Sequence, residues 1–539
     1  METLAVDLRT YQRTPLEEAH VARMMEVGEV RAHPAGHVLL KTGDPIEEFL
    51  YVIEGEVEAV NPATGLRYGG GATLGPTQFF GDVTFLNGGQ MMMGARCVQD
   101  SRILHVPRDA MLRLMSQIPE MSDIVITVYA ARRRRQIESQ EAPLMLIGAD
   151  IDRDIRRIAA FADRNKIPYR SVEIGSGEAV QLTEQCSISP KEPAVIYGKK
   201  TPLEDPTPEK VARLFGMDLP LRDHEECDVL IVGAGPAGTA AGVYAGSEGM
   251  SALVLEDSTI GGQAGTSSRI ENYMGFPTGI SGADLVWRGE VQAMKFGTRF
   301  AVPRRAVKVE KHGELFDVTL GDGMVVCARA LVVATGVQYR RLPIKGLEEL
   351  EGAGIYYAAT EVEARYCRGS DAVVIGGGNS AGQAAMYLSR SSSHVHVLVR
   401  GKSLAASMSD YLSSRLEADA RITIYYETEM TEVHGEGGHL KAITVRDKST
   451  GEERRLETCG TFIMVGAAPN TAWLSGLVEL DDKGFVKTGI DVGTNSAYAT
   501  SHPGIFAVGD VRAGSVKRVA SAVGEGSVVI SRVWEYLNP

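Results

Sequence analysis

Closely spaced cysteines are missing from this sequence. Its six cysteines stand at 97, 186, 227, 327, 367 and 459, a spacing that suits neither a zinc site nor a disulfide framework. Long apolar runs are missing too. No stretch reaches the ~18 apolar residues a membrane helix requires, and the opening METLAVDLRTYQRTPLEEAH carries no apolar core of a signal peptide. The chain therefore reads as cytoplasmic, with no membrane partner. Positive charge is also in deficit: 56 Lys and Arg stand against 69 Asp and Glu, a formal net charge of −13. That balance excludes a broad nucleic-acid surface, which needs a positive field. The basic run at 132–135 is a local exception, read as a solvated helix end or an anion or partner site.

What is present is length, and glycine in ordered places. With 539 residues the chain far exceeds the roughly 250–300 at which single cores stop growing, so three or four domains are expected. Residues 20–135 read as helix, then short strands between glycine turns, then helix. PAGHVLLKTGDPIEEFLYVIEGEVEAV alternates apolar and polar residues around Gly43, Gly55 and Gly65, which predicts a small antiparallel barrel. With FFGDVTFLNGGQ and RILHVPRDAMLRLM following, residues 1–140 resemble a cyclic-nucleotide-binding domain, a jelly roll holding a phosphate-binding cassette. The cassette departs from the family pattern. Phe80-Gly81-Asp82 carries a shorter acid than the family's Phe-Gly-Glu. Arg96 falls two positions late, after Met91, Met92 and Met93, so the phosphate loses its charge-assisted partner. The expectation is a fold kept for packing or dimerisation, with the methionines as apolar filler.

Residues 141–220 read as strand (PLMLIGAD), amphipathic helix, strand (IPYRSVEI), helix (GEAVQLTEQC), strand (EPAVIYG) and helix (PEKVARLFGM). This order resembles the thioredoxin or glutaredoxin fold, in which a cis-proline, here Pro193, sits beside the active site. The dithiol expected after the first strand is replaced by Gly148-Ala149-Asp150-Ile151, and Cys186 reads as a small core residue. A degenerate spacer is expected.

The strongest signal begins at Asp228: the apolar strand DVLIVG, the turn GAGPAG and the helix TAAGVYAGSEGM. Gly233 allows the tight turn, Gly235 lets backbone approach a pyrophosphate, and Gly238 permits close helix–strand packing. Pro236 and Ala237 complete the turn, at a helix N-terminus suited to an anion. The next strand ends in Glu256, about 20 residues on, where a carboxylate binds ribose hydroxyls. A second unit, DAVVIGGGNSAGQAAMYL, supplies Gly376, Gly378, Asn379 and Ser380, with Ala381 for the third glycine. Its following strand ends in Arg400, with Lys402 beyond. Cations there suit a 2′-phosphate, so the second nucleotide reads as NADP, or NAD if Arg400 is a surface charge.

GAGPAGTAA, the loop Ile260-Gly261-Gly262-Gln263, IENYMGFPTGISG, Ala334-Thr335-Gly336, GGGNSA, VGAAPNTAWL and GIFAVGDVRAGSVKRVASAVGEG together resemble low-molecular-weight thioredoxin reductase over residues 228–539. The resemblance implies an α/β fold of two interleaved Rossmann-like domains, FAD-binding at 228–345 and 468–539, NAD(P)-binding at 346–467. It also implies a homodimer. Gln263 and Asn272 are implied contacts on the flavin side of FAD, with Gly262, Thr335, Gly336 and Gly509 among the cofactor residues. Asp510 is implied at the ribityl chain. Arg518 and Val519 are implied near the pyrimidine edge, at a helix start that stabilises negative charge. The family's Cys-x-x-Cys is absent: Ala358 and Glu361 align with its cysteines, and Cys367 stands single. The expectation is an FAD-dependent NAD(P)H oxidoreductase whose acceptor, a redox protein or small molecule, is not reached through internal cysteines. The alternative is a redox- or nucleotide-sensing regulatory flavoprotein with little turnover.

Overall fold

The structure is a computed structural model. It describes residues 15–538 except 42, 61–66, 68–72, 92, 139–143, 150, 151, 166, 168, 187, 190, 191, 198–200, 216, 266, 268, 269, 341, 358, 360–363, 366, 406 and 475. Among the described residues no helix is long and apolar enough to cross a membrane.

The front domain forms two antiparallel four-stranded sheets. One runs Glu29–His33, Ser101–Pro107, Glu48–Glu54, Phe79–Phe80; the other Val38–Leu40, Gly94–Cys97, Val57–Val60, Thr73–Leu74. Alternation gives way at Phe49, Leu50, Tyr51 and Val52, all buried, because both faces of that strand are covered. Just before the cassette helix Thr84–Asn87 the Asp82 carboxylate accepts from the Thr84 amide at 2.8 Å and also from its hydroxyl. Arg132 is no solvated helix end. Its guanidinium donates to the Gly81 and Phe79 carbonyls, both at 2.8 Å, fastening the helix Pro119–Glu138 to the cassette. The side chains of 133–135 lie outside the described residues.

The second unit has sheet order Tyr169–Val172, Leu144–Ile147, Ala194–Tyr197, Thr201–Pro202, the first pair parallel and the others antiparallel. The last short strand was not legible in the sequence. This is the topology of a thioredoxin fold, but Pro193 does not follow a cis peptide bond; among the described residues the cis bond is Val302–Pro303. Asp150 and Ile151 lie outside the described residues. The helix Arg153–Arg164 begins at Asp152, whose carboxylate accepts from the amides of Asp154 and Ile155 at 2.9 Å. A carboxylate thus occupies the helix terminus that favours an anion.

The third unit is a seven-stranded sheet in which Glu225–Val232 lies between Ala252–Leu255 and Val325–Val333, parallel to both. Arg299–Ala301 forms one edge, and Ile505–Ala507, near the chain end, pairs with Val325–Val333. A second parallel sheet, ordered Ile355–Tyr356, Gly460–Ile463, Ala372–Ile375, Val395–Leu398, Ile422–Tyr425, is contained within the first in sequence. The chain passes between the two through an antiparallel ribbon, Val337–Tyr339 against Ala467–Pro469. The front domain packs on the third unit, and their apolar cores form one cluster. At the seam the Asn87 carboxamide donates to the Phe300 carbonyl at 2.9 Å and accepts from the Phe300 amide at 2.8 Å.

Candidate functional site

The first glycine turn is set by close backbone approach. Gly233 has φ +105°, and a Cβ there would lie 2.4 Å from the Ala334 carbonyl oxygen; at Gly238 it would lie 1.8 Å from the Gly233 carbonyl oxygen. Only glycine admits the crossing of turn, helix and neighbouring strand. The helix Pro236–Ser247 starts at Gly235 with no side-chain cap, so its first amides remain available to an anion. Gly262 crosses this turn, with a would-be Cβ 3.1 Å from the Gly235 Cα.

Glu256 closes the next strand. One carboxylate oxygen accepts from the Ala234 amide at 2.9 Å, the other from the Ser258 amide at 3.1 Å. A carboxylate offers about four acceptor positions, so capacity is left for a ribose hydroxyl. Burial, then the neighbouring Asp257 charge, holds its pKa well above the usual carboxylate range. Gln263 donates to the Val337 carbonyl at 2.6 Å, and the Thr335 hydroxyl to the Asn470 carbonyl at 2.8 Å, so both secure the ribbon that joins the two sheets. Gly336 has φ +59°. Asn272 is exposed on the cavity rim.

From the far end of the chain, Gly509 brings its amide to the Glu525 carboxylate at 2.7 Å, and Arg512 pairs with the same carboxylate. Asp510 stands next to it, its pKa raised by burial. Arg518 precedes the helix Val519–Leu537, which carries no side-chain cap.

The second turn repeats the first. A Cβ at Gly376 would lie 2.4 Å from the Met464 carbonyl oxygen, and the helix Asn379–Leu388 starts at Gly378 without a side-chain cap. Asn379 points sideways: its carbonyl oxygen accepts from the Ser409 amide at 2.8 Å and hydroxyl at 3.0 Å, securing the loop before 410. Ser380 and Arg400 line the cavity, whereas Lys402 is not among its lining residues and pairs with Glu427 at 3.8 Å.

Both turns open on one cavity of about 4330 Å³, which reaches the other predicted cofactor residues named above except Gly238 and Ala381, both of which pack behind their turns. A drug-sized ligand occupies about 300–1,000 Å³, so the volume accommodates two dinucleotides. Sequence reasoning missed part of its wall. Arg153, Arg156, Arg157 and Arg164, from the thioredoxin-like unit, also face this space. They stand opposite the buried Ile155, Ile158 and Ala162 of the same helix, an amphipathic pattern visible in the sequence but not assigned there to a site.

The isolation expected of the cysteines is corrected here. Cys367 and Cys459, remote in sequence, hydrogen-bond through their sulfurs. Neighbouring strands bring them together, since Ala372 pairs with Gly460. Ala358 and Glu361 lie outside the described residues. Among the described residues no His, Cys, Asp or Glu cluster could hold a metal ion.

In the front domain Arg96 is committed elsewhere. It faces Glu58 across the sheet and donates to that carboxylate through Nε at 2.8 Å, while Arg67 donates to the other carboxylate oxygen at 2.7 Å. The two guanidiniums, Arg67 first, hold the Glu58 pKa below its ordinary value. Calorimetric titration with cyclic AMP and cyclic GMP is therefore expected to show no tight site. Micromolar affinity for either would mean that Arg96 leaves Glu58 or that another donor holds the phosphate.

Two nested strand–turn–helix sheets opening on one cavity define the class, an oxidoreductase fold with room for two dinucleotides. Residues 227–526, more than half of the chain, match the family described as pyridine nucleotide-disulphide oxidoreductase, and residues 30–118 match the cyclic nucleotide-binding domain. The chain belongs to the pyridine nucleotide-disulphide oxidoreductase family and is thioredoxin-reductase-like. It is 35% identical to thioredoxin reductase of Streptomyces clavuligerus over 300 residues, 56% of this chain and 90% of that protein. It is 32% identical to that of Bacillus subtilis over 311 residues, 58% and 95%. Thioredoxin reductase of Lactococcus lactis superposes with a TM-score of 0.54 at 29% identity, covering 58% of this chain and 99% of that one.

Proposed function

We propose that the chain binds FAD on the turn at 233–238 and NADPH on the turn at 376–380, and passes reducing equivalents to an acceptor outside the chain without a Cys-x-x-Cys relay. The domain divisions are those set out from the sequence, and the working unit is a cytoplasmic homodimer. The observation that carries this reading is the shared cavity, in which both glycine turns offer uncapped helix amides at close backbone approaches. Bound FAD supplies two-electron chemistry. The chain's own residues hold and orient it. Glu256 takes ribose hydroxyls, Gly235 and the amides after it take the pyrophosphate, and Asp510 takes the ribityl chain. Gln263 and Asn272 stand toward the flavin, with Gly262, Thr335, Gly336 and Gly509 shaping the wall. Arg518 and Val519 place a helix N-terminus where negative charge is stabilised.

Arg400 reads the 2′-phosphate. Charge-assisted bonds contribute about 1.5–3 kcal/mol, so Arg400→Ala is expected to lower kcat/KM with NADPH by roughly 10- to 150-fold, leaving NADH nearly unchanged. Steady-state NAD(P)H oxidation with a panel of disulfide, quinone and ferredoxin acceptors measures this. Equal losses with both nucleotides would remove Arg400 from the 2′ position. The seam between Asn87 and Phe300 favours a second reading, a regulatory flavoprotein that senses through its front domain. Absence of turnover with every acceptor would select it.

A further inference from the structure

The reaction proposed above makes no use of the sulfur pair at 367 and 459. Both ends of this pair are tied down by backbone. The Cys367 amide donates to the Ala364 carbonyl at 3.2 Å, and the Ser370 amide donates to the Cys367 carbonyl at 3.2 Å. On the other strand the Thr458 hydroxyl donates to the Asp371 carbonyl at 2.8 Å and accepts from the Gly460 amide at 3.1 Å. A Cβ at Gly460 would lie 2.2 Å from the Cys367 sulfur, so glycine there is what leaves room for the thiol.

The two cysteines have unequal surroundings. Cys367 is fully buried in a core with Tyr356, Ala364 and Phe462. Cys459 is half-buried on the cavity wall, near Ser370, Asp371 and Lys441. The hydrogen bond with Cys367, helped by Ser370 and the Lys441 charge, lowers the Cys459 thiol to about 6 against the opposing effect of burial. That shift favours the thiolate, the nucleophilic form. One sulfur is thus accessible and activated, while its neighbour is enclosed behind it.

We propose that Cys459 and Cys367 form a redox-active thiol pair that accepts a small-molecule disulfide entering the cavity, Cys459 attacking and Cys367 resolving. The Cys459 thiolate attacks one sulfur of a disulfide RSSR. An S–S bond forms between Cys459 and that sulfur, and RS⁻ departs. Cys367 then attacks the Cys459 sulfur, its proton going to a leaving thiolate, and the intramolecular disulfide forms as the second R group departs as thiol. Two electrons pass from the pair to RSSR, which leaves as one thiol and one thiolate, the latter taking its proton from solvent. The step needs no nucleotide.

The test uses the full-length flavin-loaded protein, reduced and then freed of reductant, with 5,5′-dithiobis(2-nitrobenzoate) as the disulfide probe. Wild-type chain is expected to release two thionitrobenzoates rapidly at this pair and to retain none. Peptide mapping then shows a 367–459 cross-link and counts any reaction at Cys186 separately. Cys367→Ala is expected to release one equivalent and keep the probe on Cys459, and Cys459→Ser to lose the rapid phase. Flavin absorbance checks that each variant folds, with Cys367→Ser replacing an unfolded Cys367→Ala. A stable probe adduct on Cys459 in the wild type, or reaction at Cys459 no faster than at buried Cys227, would overturn the proposal.

Discussion

Anaerobic titration of the prereduced protein with NADPH is expected to take up two electrons per flavin, with no long-wavelength thiolate-to-flavin band and no reduction of thioredoxin. The reason lies in the chain's departure from its family. A charge-transfer band needs a thiolate against the flavin, and disulfide chemistry needs a nucleophilic sulfur within reach. Ala358 and Glu361 align where the family carries its two cysteines. Neither a methyl group nor a carboxylate carries out thiol exchange. Absorbance titration counts the equivalents. Uptake of four by protein isolated without reductant would mean that the pair at 367 and 459 exchanges electrons with the flavin, and the acceptor site would then move into the chain itself.

Gly238→Ala is expected to weaken FAD binding. The wild-type protein should be yellow and release FAD rather than FMN on denaturation. In the variant the new methyl group meets the Gly233 carbonyl oxygen at 1.8 Å, so the helix after the turn must retreat from the strand and carry its amides away from the pyrophosphate. Overpacking of this kind costs about 1–3 kcal/mol, a loss of roughly five- to 150-fold in FAD affinity. Gly524→Ala is the control, because that glycine is exposed on a helix with nothing within 4 Å of a new Cβ. Unchanged FAD affinity in Gly238→Ala would remove the turn from the binding site.

Both dinucleotide turns were legible because their signal is local: an apolar strand, glycines forced by backbone contact and a helix, all within a short span. The same locality made the strands around Pro193 readable. What sequence reading missed depends on neighbours that pairing alone creates. Cys367 looks single until Ala372 lies beside Gly460. Arg132 looks like part of a solvated basic run until its helix packs over the Gly81 carbonyl. Lys402 sits two residues past Arg400, yet its ammonium goes to Glu427 rather than to the cavity. The arginines of Arg153–Arg164 were visible as one face of an amphipathic helix. Assigning that face to the nucleotide cavity requires the packing of separate units, which no periodicity encodes.

The contact between Asn87 and Phe300 has a consequence for how the chain can be divided. Arg299–Ala301 ends the seven-stranded sheet, and a sheet edge presents unpaired amides and carbonyls that recruit other chains. The carboxamide satisfies both the N–H and the C=O of Phe300, so a single side chain does the work of a further strand. The front domain is thereby a plug as well as an appendage. Cutting the chain after the thioredoxin-like unit would leave the nucleotide-binding half with an open border, prone to self-association, although all of its own strands and helices were intact.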